Sequence, residues 1–165
     1  MRKLYPALFL ADCDDRLNPQ GRIFAAARQA LDDAAFRAKV SEALMRFVPE
    51  MVQGSRAECL QRFLARLTYF ALDVNDVNQY HDLKNSLDER DSQTVFYLSV
   101  GPALFAPIIG GLKQAGLNTA ETRIVLEKPL GRDLASSRQL NSLVLDAFTE
   151  SQVYRIDHYL GKETV

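Results

Sequence analysis

Hydrophobic residues recur along the chain with two different periods. In the segment after Asp32, the apolar residues Phe36, Val40 and Leu44 are four apart and form one helical face, and an aspartate is a common helix N-cap. The run from Ile124 to Leu126 is apolar throughout and too short for a helix, which favours a strand buried on both faces. The pattern therefore predicts helices and strands in alternation.

The same reasoning, applied to the whole chain, predicts a regular succession of the two element types. Strands are predicted at Arg22–Ala27, Thr68–Leu72, Thr94–Val100, Ile124–Leu126 and Val153–Ile156. Helices are predicted at Met1–Ala11, from Asp32 or Asp33 to Val48, from Ala57 to Leu67, from Val77 to Leu87, from Leu104 to Leu112, and from Asp133 to Ala147. We expect the strand at Thr94–Val100 to be covered on both faces because it is apolar almost throughout. Such alternation is typical of the α/β class, with a doubly wound parallel (Rossmann-like) sheet whose ligands bind beyond the carboxyl ends of the strands.

Composition narrows the possible partners. The 165-residue length suggests one domain, and 47% hydrophobic and 25% charged residues are ordinary for a globular protein. A net charge of -1 argues against nucleic acid or an anionic membrane as a partner. There is no signal peptide and no apolar run of about 18 residues, so we expect a cytoplasmic protein.

The two cysteines, Cys13 and Cys59, are 46 positions apart and lack the spacing of metal ligands. A structural disulfide or a metal site is therefore not expected, and a reducing compartment is favoured.

The most informative segment follows the last predicted strand and runs from Asp157 to Glu163, with the sequence Asp-His-Tyr-Leu-Gly-Lys-Glu. A strand end that leads into a helix start presents unpaired backbone N–H groups, which suit a phosphate. If the helix begins near His158, then His158 and Lys162 lie four apart on one face, next to the hydroxyl of Tyr159. For any single residue, a solvated helix cap is the simpler interpretation.

The whole heptapeptide resembles the substrate-site signature of glucose-6-phosphate dehydrogenases. Three further segments resemble the same family: Arg2 to Leu8, Val95 to Phe105, and Glu127 to Gly131 (Glu-Lys-Pro-Leu-Gly). The resemblance implies NADP-dependent oxidation of glucose 6-phosphate to 6-phosphogluconolactone, a step of the pentose phosphate pathway. It also implies that full-length members form homo-oligomers.

The resemblance assigns roles to the substrate site. Lys128, His158, Tyr159 and Lys162 would bind glucose 6-phosphate. Asp157 would orient a histidine base that lies further along the family's chain. The sequence has only two histidines, His81 and His158, and neither suits that role.

The resemblance also implies a set of coenzyme contacts. Arg28 and Gln29 follow the second strand of such a fold, where an arginine accommodates the 2′-phosphate of NADP and an acidic residue would select NAD. Lys128 would contact both coenzyme and substrate, and Pro129 would contact the coenzyme. The remaining contacts would come from Lys3, Asp73 and Val74.

The resemblance covers the whole chain but only about a third of a family enzyme. In the family, a strand and a glycine-rich turn precede the segment matching Arg2 to Leu8, and a large substrate and oligomerisation domain follows the matching part. We therefore expect residues 1–165 to be an incomplete dinucleotide-binding domain. The missing strand is the central one in the order 3-2-1-4-5-6, so the strands at Arg22 and Thr68 should be separated from the other three.

Loss of that strand would remove apolar burial worth on the order of 10 kcal/mol, comparable with the whole stability of a domain. We expect the isolated chain to be unfolded, molten or dependent on a partner strand, and inactive. Two alternatives stay open: a non-catalytic module that binds a nucleotide or a sugar phosphate, and an inactive remnant that associates through its open strand edges.

Overall fold

The computed structural model describes residues 2–52, 56–87, 93–131 and 133–156. Within those ranges the predicted alternation is confirmed. The helices are α1 (Leu4–Cys13), α2 (Asp33–Phe47), α3 (Ala57–Ala65), α4 (Val77–Ser86), α5 (Phe105–Gln114) and α6 (Leu134–Ala147). The strands are β1 (Ile23–Ala27), β2 (Leu67–Ala71), β3 (Thr94–Leu98), β4 (Thr122–Glu127) and β5 (Val153–Ile156).

Three helices begin at an aspartate cap. The carboxylate of Asp32 accepts a hydrogen bond from the Ala35 amide at 2.7 Å, and Asp76 caps α4 in a similar way. At the start of α6, Asp133 and Ser136 form a reciprocal capping box. These bonds satisfy amide groups that have no partner inside the helix, and the signals for them are local in sequence.

The chain divides into two compact units, residues 1–72 and 73–165. In the first unit, β1 and β2 pair in parallel, and the same unit contains the helices α1, α2 and α3. Its core is apolar and partly aromatic, with the rings of Phe9 and Phe63 packed edge to face at 5.6 Å. The other buried members of that core are Phe36, Val40, Leu44, Leu60 and Leu67.

The second unit contains a parallel sheet in the order β3-β4-β5. The central strand β4 is the most buried, with Ile124 fully buried and Leu126 1% exposed, as its apolar run predicts. Helices α5 and α6 pack against one another, and α4 packs on α5. This sheet positions the carboxyl ends of β3, β4 and β5 side by side.

The separation of the strands into two sheets is confirmed for the described residues. The observed orders, β1-β2 and β3-β4-β5, are those expected from 3-2-1-4-5-6 when its first strand is not included. The prediction about the stability of the isolated chain stays a prediction.

Two predictions were wrong. Cys13 and Cys59 form a disulfide, with their Cα atoms 5.7 Å apart, because the packing of α1 against α3 brings together residues that are distant in sequence. Strand β3 is not covered on both faces, since Val95 is 60% exposed. A smaller difference concerns Leu67, which begins β2 instead of ending α3.

No helix in the described part of the chain is both long and apolar enough to cross a membrane. Across those same residues, no cluster of three or more histidine, cysteine or acidic side chains could hold a metal ion.

Candidate functional site

The carboxyl end of β1 presents Arg28 and Gln29 to solvent. Tyr69 of β2 supports this loop, because its hydroxyl donates to the backbone carbonyls of Ala27 and Gln29. Arg28 makes no hydrogen bond or ion pair with any other described residue, so its guanidinium keeps all its donors. The loop is therefore held in place while its cation stays available.

No carboxylate competes for that arginine within the loop itself. The first acidic residue after β1 is Asp32, and its side chain accepts the Ala35 amide as the cap of α2. The side-chain carbonyl of Gln29 accepts from the ammonium of Lys39 at 3.5 Å, which adds a second cation near the same loop. Such a positive, acid-free strand end suits an anionic group such as a nucleotide phosphate.

Lys3 lies exposed at the N-cap position of α1, in the same unit as Arg28. Its side chain makes no capping bond. Its ammonium adds a positive charge to the N-terminal end of α1, where the helix dipole is also positive.

Asp73 and Val74 begin the second unit and are tied into its local structure. The Asp73 carboxylate accepts from the Asn75 amide at 3.0 Å, and the Asp73 amide donates to the Gln79 side chain at 2.7 Å. The hydroxyl of Tyr80 donates to the Val74 carbonyl at 3.2 Å. These bonds give both residues a structural explanation, in addition to the predicted coenzyme contact.

The carboxyl ends of β3 and β4 meet in a polar cluster. Glu127, the last residue of β4, accepts hydrogen bonds from the hydroxyls of Tyr97 and Ser99, the latter at 3.4 Å. Burial, followed by the hydrogen bond and the negative charge of Glu127, raises the pKa of the Tyr97 phenol to about 12. Tyr97 therefore stays a proton donor to Glu127 throughout the neutral range.

Lys128 and Pro129 follow this cluster directly, are exposed, and are joined by a cis peptide bond. The Lys128 amide donates to the carbonyl of Ile156 at 3.4 Å, which holds the backbone of Lys128 against the end of β5. Ile156 immediately precedes Asp157 in the sequence. Lys128 thus lies next to the point where the predicted substrate segment begins.

The remaining predicted substrate residues, Asp157, His158, Tyr159 and Lys162, lie outside the described residues.

A groove of about 460 Å³ lies on the α6 side of the same strand ends. Its lining is mainly apolar, with Leu126, Leu130 and Leu134 among its members, and Arg138 and Arg155 at its polar part. Lys128 does not line this groove. The groove therefore does not include this predicted substrate residue.

Sequence reasoning did not identify Tyr69, Tyr97 or Glu127 as supporting residues. Tyr97 and Glu127 belong to two of the segments that resemble the family, and their position near strand ends was the only signal in the sequence. The contact of Tyr69 with Gln29 spans 40 residues of sequence, and that of Tyr97 with Glu127 spans 30. Both contacts depend on strand pairing, which no local pattern reveals.

Parallel strands that alternate with helices, with cations at their carboxyl ends, define a dinucleotide-binding class of α/β protein. Comparison with known proteins is more specific. The profile of the family described as "Glucose-6-phosphate dehydrogenase, NAD binding domain" matches residues 1–165. The chain belongs to this family of nicotinamide-dinucleotide-binding domains.

Individual relatives agree with that assignment. The chain is 44% identical to the glucose-6-phosphate 1-dehydrogenase of Mycolicibacterium smegmatis, over 99% of this chain and 34% of the relative. The enzyme of Zymomonas mobilis is also 44% identical, over 99% of this chain and 33% of the relative. The chain therefore spans about a third of the length of the curated relatives it matches.

Solved structures give the same result for the fold. A glucose-6-phosphate dehydrogenase in complex with its substrate glucose-6-phosphate superimposes with a TM-score of 0.85 at 31% identity, over 98% of this chain and 34% of that one. A glucose-6-phosphate 1-dehydrogenase from Mycobacterium avium also gives a TM-score of 0.85, at 29% identity, over 97% of this chain and 33% of that one.

Proposed function

We propose that this chain is the coenzyme-binding part of an NADP-dependent glucose-6-phosphate 1-dehydrogenase of the pentose phosphate pathway. The observation that carries the proposal is the strand end at Arg28, an exposed guanidinium without a partner among the described residues and without a carboxylate in its loop. Family membership supports a nicotinamide dinucleotide, and this arginine supports NADP in particular.

The residues present fit the coenzyme. Arg28 would form charge-assisted bonds to the 2′-phosphate, and Gln29 would offer an amide to the adjoining ribose. Lys3 would add positive charge near the remaining phosphates, and Asp73 with Val74 would border the adenosine end. When bound, the coenzyme supplies a hydride acceptor for C1 of the sugar.

The chain's own contribution to the sugar site begins at Lys128. Its ammonium would hold a sugar hydroxyl and the coenzyme together, while Pro129 sets the direction of the loop. The bond between the Lys128 amide and Ile156 supports this role, because it ties the lysine backbone to the end of β5.

The segment that follows β5 would complete the substrate site. His158, Tyr159 and Lys162 would grip the dianionic phosphate of glucose 6-phosphate through charge-assisted bonds. Asp157 would orient a histidine base and stabilise its positive charge after it takes the proton from the C1 hydroxyl. Residues 1–165 would form a dinucleotide-binding domain of a cytoplasmic, homo-oligomeric enzyme.

The experiment is a calorimetric titration, with NADP and with NAD, of a complete enzyme that contains residues 1–165. Arg28→Ala should weaken NADP binding by about tenfold to a hundredfold, since a hydrogen bond to a charged group contributes about 1.5–3 kcal/mol. NAD binding should change less than about twofold, because NAD lacks the 2′-phosphate.

Arg22→Ala is the matched control. Arg22 lies just before the opposite end of β1, with its guanidinium 4.9 Å from the ring of Phe24, so both affinities should stay unchanged. Equal weakening of NADP and NAD by Arg28→Ala would contradict the assignment. In that complete enzyme, binding of NADP without its reduction in the presence of glucose 6-phosphate would favour the non-catalytic module, and no binding at all would favour the inactive remnant.

A further inference from the structure

The disulfide between Cys13 and Cys59 joins two helices of the first unit. Cys13 is the last residue of α1, and Cys59 lies in the first turn of α3. Both cysteines are partly exposed, and both pack against the edge of the core of the first unit. Neither cysteine has a role in the coenzyme or substrate site proposed above.

The two sulfur atoms lie at helix ends of opposite polarity. The guanidinium of Arg62 lies 3.7 Å from the sulfur of Cys59, one turn further along α3. Both this cation and the N-terminal turn of α3 stabilise a thiolate at Cys59. Glu58, which lies in the same turn, destabilises that thiolate by its negative charge.

Cys13 has the less favourable position for a thiolate. It ends α1, where the helix dipole disfavours negative charge, and it stands between Asp12 and Asp14 in the sequence. The thiolate of Cys59 is therefore the more stable of the two.

The cation beside Cys59 also faces two carboxylates. Arg62 donates to the Asp12 carbonyl at 2.8 Å and forms ion pairs with the carboxylates of Asp12 at 3.5 Å and Asp15 at 3.6 Å. The buried carboxylate of Asp12 is shared with Arg66, which forms a second ion pair with it. Arg62 is 54% exposed and keeps a charge to offer the sulfur.

We propose that Cys13–Cys59 is a thiol–disulfide exchange site for a dithiol reductant, with Cys59 as the leaving group. A thiolate of the reductant attacks Sγ of Cys13, a mixed disulfide forms there, and the Sγ–Sγ bond breaks with its electron pair on Cys59. Arg62 stabilises the thiolate that leaves. The second thiol of the reductant then attacks the mixed disulfide, is itself oxidised to a disulfide, and releases Cys13 as a thiolate that takes a proton from water.

The test traps the first step with a monothiol. A complete enzyme that contains this chain is treated briefly with reduced glutathione, quenched with acid, alkylated, and digested for mass spectrometry of the two cysteine peptides. Glutathione should be found on Cys13 and the alkyl group on Cys59, in excess over the reverse pattern by about fivefold or more. In guanidinium chloride the preference should disappear, because the helices that create it are lost.

Three variants at arginine positions examine the role of the cation. Arg62→Gln should slow reduction by dithiothreitol about threefold to tenfold and reduce the preference for Cys13, while Arg62→Lys should retain most of both because it keeps the charge. Arg46→Gln removes an arginine of α2 that stacks on Phe47, and should change neither.

Either of two results would overturn the proposal. One is equal attack on the two sulfurs in native buffer, indistinguishable from the result in denaturant. The other is an Arg62→Gln variant whose reduction rate and preference match those of the unchanged chain. The site of glutathione attachment and the rate of reduction are both measured without NADP. A negative result here would therefore overturn the disulfide proposal and leave the coenzyme proposal unaffected.

Discussion

The contact between Gly111 and Tyr80 offers a quantitative prediction about the second unit. Tyr80 of α4 is 1% exposed, and its ring lies against the backbone of α5 at Gly111. A Cβ atom added at Gly111 would lie 2.4 Å from two ring carbons and 2.7 Å from a third, closer than real Cβ contacts. The ring is also held at its far end, because its hydroxyl donates to the Val74 carbonyl at 3.2 Å.

Gly111→Ala should therefore force the ring or the helix to move. Overpacking of a filled core costs about 1–3 kcal/mol, and loss of the bond to Val74 would add about 1 kcal/mol. Replacement of a helical glycine by alanine returns up to about 1 kcal/mol. We expect a net loss of about 1–3 kcal/mol in the free energy of unfolding.

Gly110→Ala is the matched control, since the adjacent position in the same helix has no atom within 4 Å of an added Cβ. It gains the same helix preference without the contact, so it should stabilise the chain by about 0.5–1 kcal/mol. The difference between the two variants then isolates the cost of the contact with Tyr80.

The assay is native-state hydrogen exchange of the α4 and α5 amides in a complete enzyme that contains this chain, which gives the free energy of opening of these helices. In a Tyr80→Leu background, the cost of Gly111→Ala should largely disappear, because the smaller side chain leaves room for the methyl group. Equal free energies of opening for Gly110→Ala and Gly111→Ala would refute the reasoning.

Three further predictions concern the loop after β4 and the cluster at its start. Because the pKa of Tyr97 is raised to about 12 in the fold, above the usual 10.0, its contribution to stability should be complete below pH 10 and decline as the pH rises towards 12. Tyr97→Phe should lose the part of the alkaline decline that Tyr97 contributes, while the part from Tyr80, whose pKa is also raised to about 12, should remain; an unchanged alkaline unfolding curve would contradict this. Gly131→Ala should destabilise the loop by about 1–3 kcal/mol, since the backbone at Gly131 has φ of 130° and an added Cβ would lie 2.7 Å from the Ser137 amide nitrogen. Hydrogen exchange of the α6 amides should become faster in this variant, and unchanged exchange rates would contradict the prediction. Asp133→Ala should fray the start of α6 and Asp133→Asn should preserve it, as measured by exchange of the first-turn amides; equal fraying would argue against the cap.

The helices and strands could be predicted from the sequence because their signals are local. The stripe of Phe36, Val40 and Leu44 repeats with the period of a helix, and the caps at Asp32 and Asp133 act within three residues of each helix start. Helix and strand ends still differed from prediction by a few residues, since the last turn depends on packing. Leu67 illustrates this, because its pairing with Ile23 in the neighbouring strand makes it the start of β2.

The candidate site could be located but not assembled from the sequence. Arg28 and Lys128 were predicted at strand ends, and the structure has both there, exposed to solvent. Tyr69, which supports the loop of Arg28, comes from the neighbouring strand β2, and Tyr97, which donates to Glu127 beside Lys128, comes from the neighbouring strand β3. No pattern along one segment reports which strand will lie next to it.

By itself, the sequence determined the class of the fold and the approximate position of its strand ends, because hydrophobic period, capping residues and short motifs act over a few residues. Only the tertiary structure decided the bond between Cys13 and Cys59, the solvent exposure of Val95, and the contact of Tyr80 with Gly111. Each of these joins or exposes residues through the packing of whole elements. Packing depends on the shape of both partners, and that information is not contained in either segment alone.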